Sequence, residues 1–214
     1  VMKTSEFVSM LATGIVPTYP HVIARRFATA LFFGLTGAAC MLVAIYGVRG
    51  DMPQMLTTLL FWLKVAFPLA VVGASLFVAM RLSRPGADTA MAWVTLAIPL
   101  VLIWLTALVV IVAAPPLLRL QLVLGKTWQV CTMNIVILSA PTFIAVFWAM
   151  KGLAPTRPVI AGAAAGLLSG AQAVLVYTLY CVEMTVPFWG AWYVLGMAVP
   201  TILGALLGPR VLRW

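Results

Sequence analysis

Residues 89–113 read TAMAWVTLAIPLVLIWLTALVVIVA, 25 positions without one Asp, Glu, Lys or Arg. A hydrocarbon core of about 30 Å is crossed by roughly 20 residues of helix, and backbone groups in lipid must be paired within the segment. This stretch therefore reads as a transmembrane helix. Working outward from it, residues 27–48, 56–80, 127–150, 158–180 and 188–208 meet the same test, which makes six spans. Turn or charge signals separate them: Arg49-Gly50-Asp51, Arg84-Pro85-Gly86, Ala114-Pro115-Pro116, Lys151-Gly152 and the stretch 183–187. The expected fold is an all-α, polytopic six-helix transmembrane bundle.

Composition supports that class. The chain has 214 residues, of which 64% are hydrophobic and 8% charged, and a mean hydropathy of +1.15. So little polar surface cannot cover a water-soluble globule. The net charge of +9 arises from Lys and Arg dispersed between apolar runs, as topology determinants are, and not from a nucleic-acid-binding face. Lys3 and Glu6 stand near the start and no small-residue cleavage site follows an apolar core, so the first span is expected to serve as the insertion signal.

With the N-terminus inside, Lys3, Arg25, Arg26, Arg81, Arg84, Lys151, Arg157, Arg210 and Arg213 face the cytoplasm, and Arg49, Arg119 and Lys126 face outward. Nine against three is a positive-inside bias. Both ends are thus expected in the cytoplasm, with residues 1–26 as an N-terminal segment, 27–208 as the transmembrane domain and 209–214 as a tail. In the N-terminal segment Thr4 can cap a short helix bearing Phe7, Met10 and Leu11 on one face, before Pro17 and Pro20 end it. It reads as a membrane-surface helix or as a docking peptide. The 114–126 link is expected to be partly interfacial.

Two cysteines share a membrane face in this topology. Cys131 falls near the outer start of the fourth span and Cys181 just past the outer end of the fifth. Antiparallel neighbours could bring their Cα atoms within the roughly 4.4–6.8 Å that a disulfide needs. A structural disulfide, two unrelated packing residues, a redox sensor and a soft-metal site all remain open. For the last, Met133 follows Cys131, and Glu183 and Met184 follow Cys181, but neither a Cys-x-x-Cys nor a nearby His accompanies them. The single histidine, His21, lies at the opposite face, and Cys40, within the first span, reads as a packing residue.

Lys64 stands inside the second span, about two turns below the outer surface, where a cation costs about 2.5–3.5 kcal/mol unless it snorkels or pairs. Asp51 and Glu183 are the expected partners; ion translocation is the functional alternative. Gly162, Gly166 and Gly170 recur every fourth residue, as do Gly204 and Gly208, a spacing that lets helix backbones approach. Trp128, Tyr177, Tyr180, Trp189, Trp192 and Tyr193 gather near the outer interface as an aromatic belt and can wall the cysteine site.

Several ordered motifs resemble one family along the whole chain. They are Arg25-Arg26, Gly47-Val48-Arg49-Gly50-Asp51, Phe61-Trp62-Leu63-Lys64, Arg81-Leu82-Ser83-Arg84-Pro85-Gly86, Trp128-Gln129-Val130-Cys131, Tyr180-Cys181-Val182-Glu183, Phe188, Trp192-Tyr193 and Gly208-Pro209-Arg210. Together they resemble the NrsF family, negative regulators of the extracytoplasmic-function sigma factor SigF; Gly50 departs from the commoner Arg-Pro-Asp type of turn.

The resemblance implies a membrane anti-sigma factor of the bacterial inner membrane that holds its sigma factor at the cytoplasmic face and releases it on heavy-metal or oxidative stress. It implies that Cys131 and Cys181 are the sensor, with Glu183, Met133, Met184, Trp128 and Lys64 as possible accessories. No obligatory cofactor is expected, only a transient heavy-metal ion on Cys131 and Cys181 or a reversible disulfide between them. The lipid bilayer and the sigma factor are the expected partners, with no direct nucleic-acid contact. Glu6, Phe7, Met10, Leu11, Arg25 and Arg26 are the candidate sigma-binding residues, chosen on size and exposure. A small transporter or channel, or a membrane thiol oxidoreductase, are the competing classes; the spans offer little to line a polar path beyond Lys64, Asn134 and Gln172, and no His, Ser or Asp constellation suggests catalysis.

Overall fold

A computed structural model describes residues 4–13, 21–47, 49–84, 86–153 and 155–213, without the side chains of Leu11 and Ala12. Its helices are α1 (Thr4–Ala12), α2 (Val22–Ile45), α3 (Met52–Met55), α4 (Leu59–Leu82), α5 (Ala90–Ala113), α6 (Pro116–Leu124), α7 (Trp128–Lys151), α8 (Pro158–Tyr177), α9 (Val186–Phe188) and, after a π-helical turn over Trp189–Tyr193, α10 (Val194–Val211). Six segments are long and apolar enough to cross a membrane, α6 and α7 forming one of them and α9, the π turn and α10 another. No strand occurs among the described residues.

Proline and glycine set the boundaries. Pro116, Pro158 and Pro187 sit in the first turns of α6, α8 and α9, where a missing N–H costs nothing. Gly125 takes φ +58° between α6 and α7, a left-handed conformation that a side chain resists. The first long helix begins at Val22, so Arg25 and Arg26 lie within it and not ahead of it. The fifth span stops at Tyr177, and the chain turns through Thr178, Leu179 and Tyr180 before Cys181. The link between the third and fourth spans folds as α6, with Leu117 and Leu120 exposed.

Large apolar side chains form a belt around the outside of the bundle. Leu59, Met91, Ile144, Phe33 and Val109 are exposed by two-thirds or more, while the buried residues of α8 are mostly Ala, Gly and Ser and large side chains such as Phe27, Trp189 and Tyr193 are buried elsewhere. A water-soluble protein does not expose such a belt, and small residues at helix contacts are the rule in lipid. The middle of the bundle is α8, 72% of whose apolar window is buried against 22–44% elsewhere. It packs on α10, α7, α4 and α2.

The α8–α10 seam is backbone on backbone. A Cβ added at Gly162 would strike the Gly204 carbonyl, one at Gly166 the Pro200 carbonyl, and one at Gly208 the Pro158 carbonyl. The α2–α7 seam is closed at Gly34, over Thr142, and Gly37, over Pro141. Gln172 ties α8 to α2 by donating Nε2–H to the Leu31 carbonyl at 2.8 Å.

Candidate functional site: a two-thiol cluster at one end of the bundle

Cys131 lies one turn into α7, and Cys181 four residues beyond α8. Since α7 and α8 pack together and run in opposite directions, the start of one meets the end of the other. Both cysteines are free and buried. Their side chains interact electrostatically, and the Tyr177 hydroxyl touches both the Cys131 thiol and the Asn134 amide. The wide π turn carries Tyr193 to the far side of the cluster, where its buried hydroxyl interacts with the Cys181 thiol but makes no hydrogen bond of ordinary geometry.

Two cations converge on the Cys181 backbone. Lys64 Nζ donates to the Cys181 carbonyl at 2.5 Å and Arg49 Nη1 donates to the same oxygen at 3.0 Å. Lys64 is fully buried; it neither snorkels nor forms an ion pair with Asp51 or Glu183, because Asp51 is taken by Arg49 Nε and Nη2. Outside the spans, the hydrogen bonds to Asp51 raise the Arg49 guanidinium above its ordinary value, and those same bonds hold the Asp51 carboxyl below its own. Arg49, Tyr46, Thr127, Tyr177, Tyr180 and Cys181 line a cavity of about 220 Å³ that gives a small reagent a route to the Cys181 side.

Glu183 is an anchor. Its Oε1 accepts the Lys126 N–H at 2.6 Å and the Thr127 N–H at 3.1 Å, so the carboxylate fixes the two residues just ahead of α7, beside its electropositive end. Its own carbonyl accepts Trp189 Nε1–H at 3.2 Å. Thr185 and Trp192 fasten the same segment to the Leu122 and Val123 carbonyls of α6.

The sequence-proposed accessories divide accordingly. Lys64 and Glu183 join the cluster, and Trp128 stacks on Trp192 at 5.4 Å on its rim. Met133 is 62% exposed and faces away, because it stands two residues from buried Cys131 on a helix. Met184 is half-buried next to Glu183. Cys40 is exposed on α2 and is no packing residue. Tyr177 and Tyr193, expected from sequence to wall the cysteine site as part of the aromatic belt, reach the thiols themselves; Arg49 was not singled out for the cluster, although the Arg49-Gly50-Asp51 turn was a signal for it.

A four-ligand metal site does not fit here. Among the described residues no three His, Cys, Asp or Glu side chains gather, and Glu183 Oε1 is already bonded ahead of α7. Two thiols suit a two-coordinate thiophilic ion or a disulfide.

Of the residues suggested for partner binding, Glu6, Phe7 and Met10 are exposed on α1, Arg25 is exposed and Arg26 half-buried on α2. The Leu11 side chain, Pro17 and Pro20 lie outside the described residues.

Fold and site together define a helical protein of the membrane-spanning type with a two-thiol cluster at one end of its bundle. Comparison with known proteins then gives the family. The family described as negative regulator of sigma F, NrsF, matches residues 11–214. A probable anti-sigma-F factor NrsF of Azospira oryzae is 44% identical over the full length of both chains, and the anti-sigma-F factor NrsF of Caulobacter vibrioides is 32% identical, again over both full lengths. The chain belongs to the NrsF family, and by that membership it is a regulator and not an enzyme. No solved structure matches it.

Proposed function

We propose that this chain is an integral anti-sigma factor of the bacterial inner membrane, with both ends in the cytoplasm, that sequesters an extracytoplasmic-function sigma factor of the SigF type and releases it when Cys131 and Cys181 react outside. Full-length similarity to anti-sigma-F factors supports the regulatory part. The observation that carries the sensing part is the burial of two free, mutually interacting thiols beside a buried cation.

Two reactions suit such a pair. Oxidation joins the sulfurs in one S–S bond, releases two protons and passes two electrons to an external oxidant of the peroxide class. A thiophilic divalent ion instead displaces both protons and forms two S–metal bonds. Either pulls the end of α8 toward the start of α7. Since α8 is packed backbone to backbone on α10, the displacement passes to the opposite end as a rigid shift and alters the surface that holds the sigma factor. That surface comprises α1, the start of α2 and the inner loops, and it contacts protein, not nucleic acid.

The test is co-purification of the sigma factor with the wild-type chain and with the Cys131→Ser, Cys181→Ser variant, with and without cadmium or peroxide. Wild type should retain sigma and lose it on treatment, and the variant should retain it throughout. No sigma factor on either protein sinks the anti-sigma reading; equal release from both sinks the thiol mechanism.

A further inference from the structure

At the end of the bundle opposite the thiols, Arg81, Arg84 and Arg157 line a cavity of about 410 Å³, together with Gly86, Asp88, Thr89 and Thr156. Lys64 and Arg81 are 17 residues apart on α4, which separates the two sites by about 26 Å along the helix. Among the described residues the single salt bridge is Arg49–Asp51, so none of the three arginines has a carboxylate within 4.0 Å. Asp88 lines the same cavity and offsets one of the three positive charges, its Oδ1 accepting the Ala90 N–H at 2.9 Å.

The arginines come from separate elements. Arg81 ends α4, with its guanidinium 5.1 Å from the centre of the Phe77 ring, a contact that orients it. Arg84 belongs to the α4–α5 turn, and Arg157 immediately precedes α8. Three guanidiniums and one carboxylate around one polar cavity leave an excess of positive charge that an anion would balance. The planar guanidinium forks match the oxygens of phosphate better than a point charge would. Thr89 and Thr156 add hydroxyl donors. The cavity lies where spans end, the level of lipid headgroups, where basic pockets take phospholipid phosphates.

We propose that this cavity is a phosphate-ester site, filled by the headgroup of an anionic phospholipid or by a soluble phosphate. A phosphate held there clamps the α4–α5 turn to the start of α8, the helix whose other end leads into Cys181. The proposal does not depend on the anti-sigma reading.

The thermal unfolding midpoint of the purified full-length chain in neutral detergent tests it, with added phosphatidylglycerol, phosphatidylethanolamine or inorganic phosphate at matched ionic strength and native mass spectrometry for retained lipid. Ligand that binds the folded state raises the midpoint. The lipid source gives a rise of several degrees with phosphatidylglycerol and a retained lipid mass, and nothing with phosphatidylethanolamine. The soluble source gives the rise with inorganic phosphate alone. In either case Arg81→Gln, Arg84→Gln, Arg157→Gln abolishes the response, and the milder Arg84→Gln, Arg157→Gln, at two exposed positions, reduces it should the triple variant misfold. A wild type indifferent to both phosphates, a folded variant that keeps the full rise, or a site that takes only an acidic peptide overturns the proposal.

Discussion

Lys64 and Cys181, 117 positions apart, meet at the centre of the thiol site: the Lys64 ammonium donates to the Cys181 carbonyl at 2.5 Å, and Arg49 shares that oxygen. The Cys181 segment is therefore tied by two side chains from distant parts of the chain. Lys64→Met keeps the length of the side chain and leaves the carbonyl its bond from Arg49, so the fold should persist. Alkylation of Cys181 should quicken several-fold, because its segment loses one of its two ties and opens more readily. Timed labelling read by mass spectrometry measures it; an unchanged rate would show that Lys64 serves packing alone.

Access should differ between the two thiols. Cys181 lines the cavity beside Arg49, whereas Cys131 is not among its lining residues and has no exposed surface. N-ethylmaleimide should therefore modify Cys181 well before Cys131, and Cys181→Ser should leave Cys131 almost inert in the folded chain. Peptide mapping of partially labelled protein decides the order. Cys40, exposed on α2, is replaced by Ala beforehand so that its labelling does not intrude.

Glu183 should matter to stability before it matters to chemistry. Its carboxylate fixes the two residues just ahead of α7 through their backbone N–H groups. Glu183→Ala should cost about 1–3 kcal/mol, as loss of hydrogen bonds to a charged group does, and Glu183→Gln less, since an amide oxygen still accepts. Gly125→Ala should cost more than Glu183→Gln, because the new Cβ would stand 2.8 Å from the Glu183 carboxyl carbon at φ +58°. Denaturation in detergent ranks the three; a neutral Glu183→Ala would remove its anchoring role.

Spans are legible in sequence because lipid imposes a length and excludes charge, and the windows at 89–113 and 158–180 needed nothing more. The common end of Cys131 and Cys181 followed from counting crossings. What packs against what is not periodic information. Asp51 could be paired on paper with Lys64, but Arg49 stands two residues away and takes it first, which releases Lys64 to a carbonyl that no sequence pattern marks. The π turn that delivers Tyr193 is invisible for the same reason: an extra residue in a helix leaves no trace in a sequence of aromatics.

The Arg49–Asp51 pair gives a pH dependence whose sign is fixed. Arg49 lowers the Asp51 carboxyl from the ordinary 3.8, so the pair's contribution is complete above that value and disappears as pH falls through the lower, folded value. Asp51→Asn should therefore unfold at a lower temperature than wild type at pH 7, and the gap should close toward pH 3. Because Asp51 is 45% exposed, the gap should be small and should shrink with salt. A gap that widens on acidification would contradict the pairing.

The α8–α10 seam makes the most severe prediction. Gly162 faces the Gly204 carbonyl and Gly166 the Pro200 carbonyl, in both cases too closely for even a methyl group. Backbone atoms cannot rotate aside as a side chain can, so Gly162→Ala or Gly166→Ala must push the two helices apart. Overpacking of this kind costs about 1–3 kcal/mol, and Gly166→Leu should prevent a stable fold. Gly73→Ala is the control: it lies on α4 with no atom within 4 Å of the added methyl, and alanine there gains helix propensity. If α8 passes the thiol reaction to the partner-binding end, Gly162→Ala should also weaken sigma release on peroxide, although both cysteines are intact. Thermal unfolding and release are read on the same preparations. A Gly162→Ala chain that is destabilised yet releases normally would keep the packing argument and discard the rod.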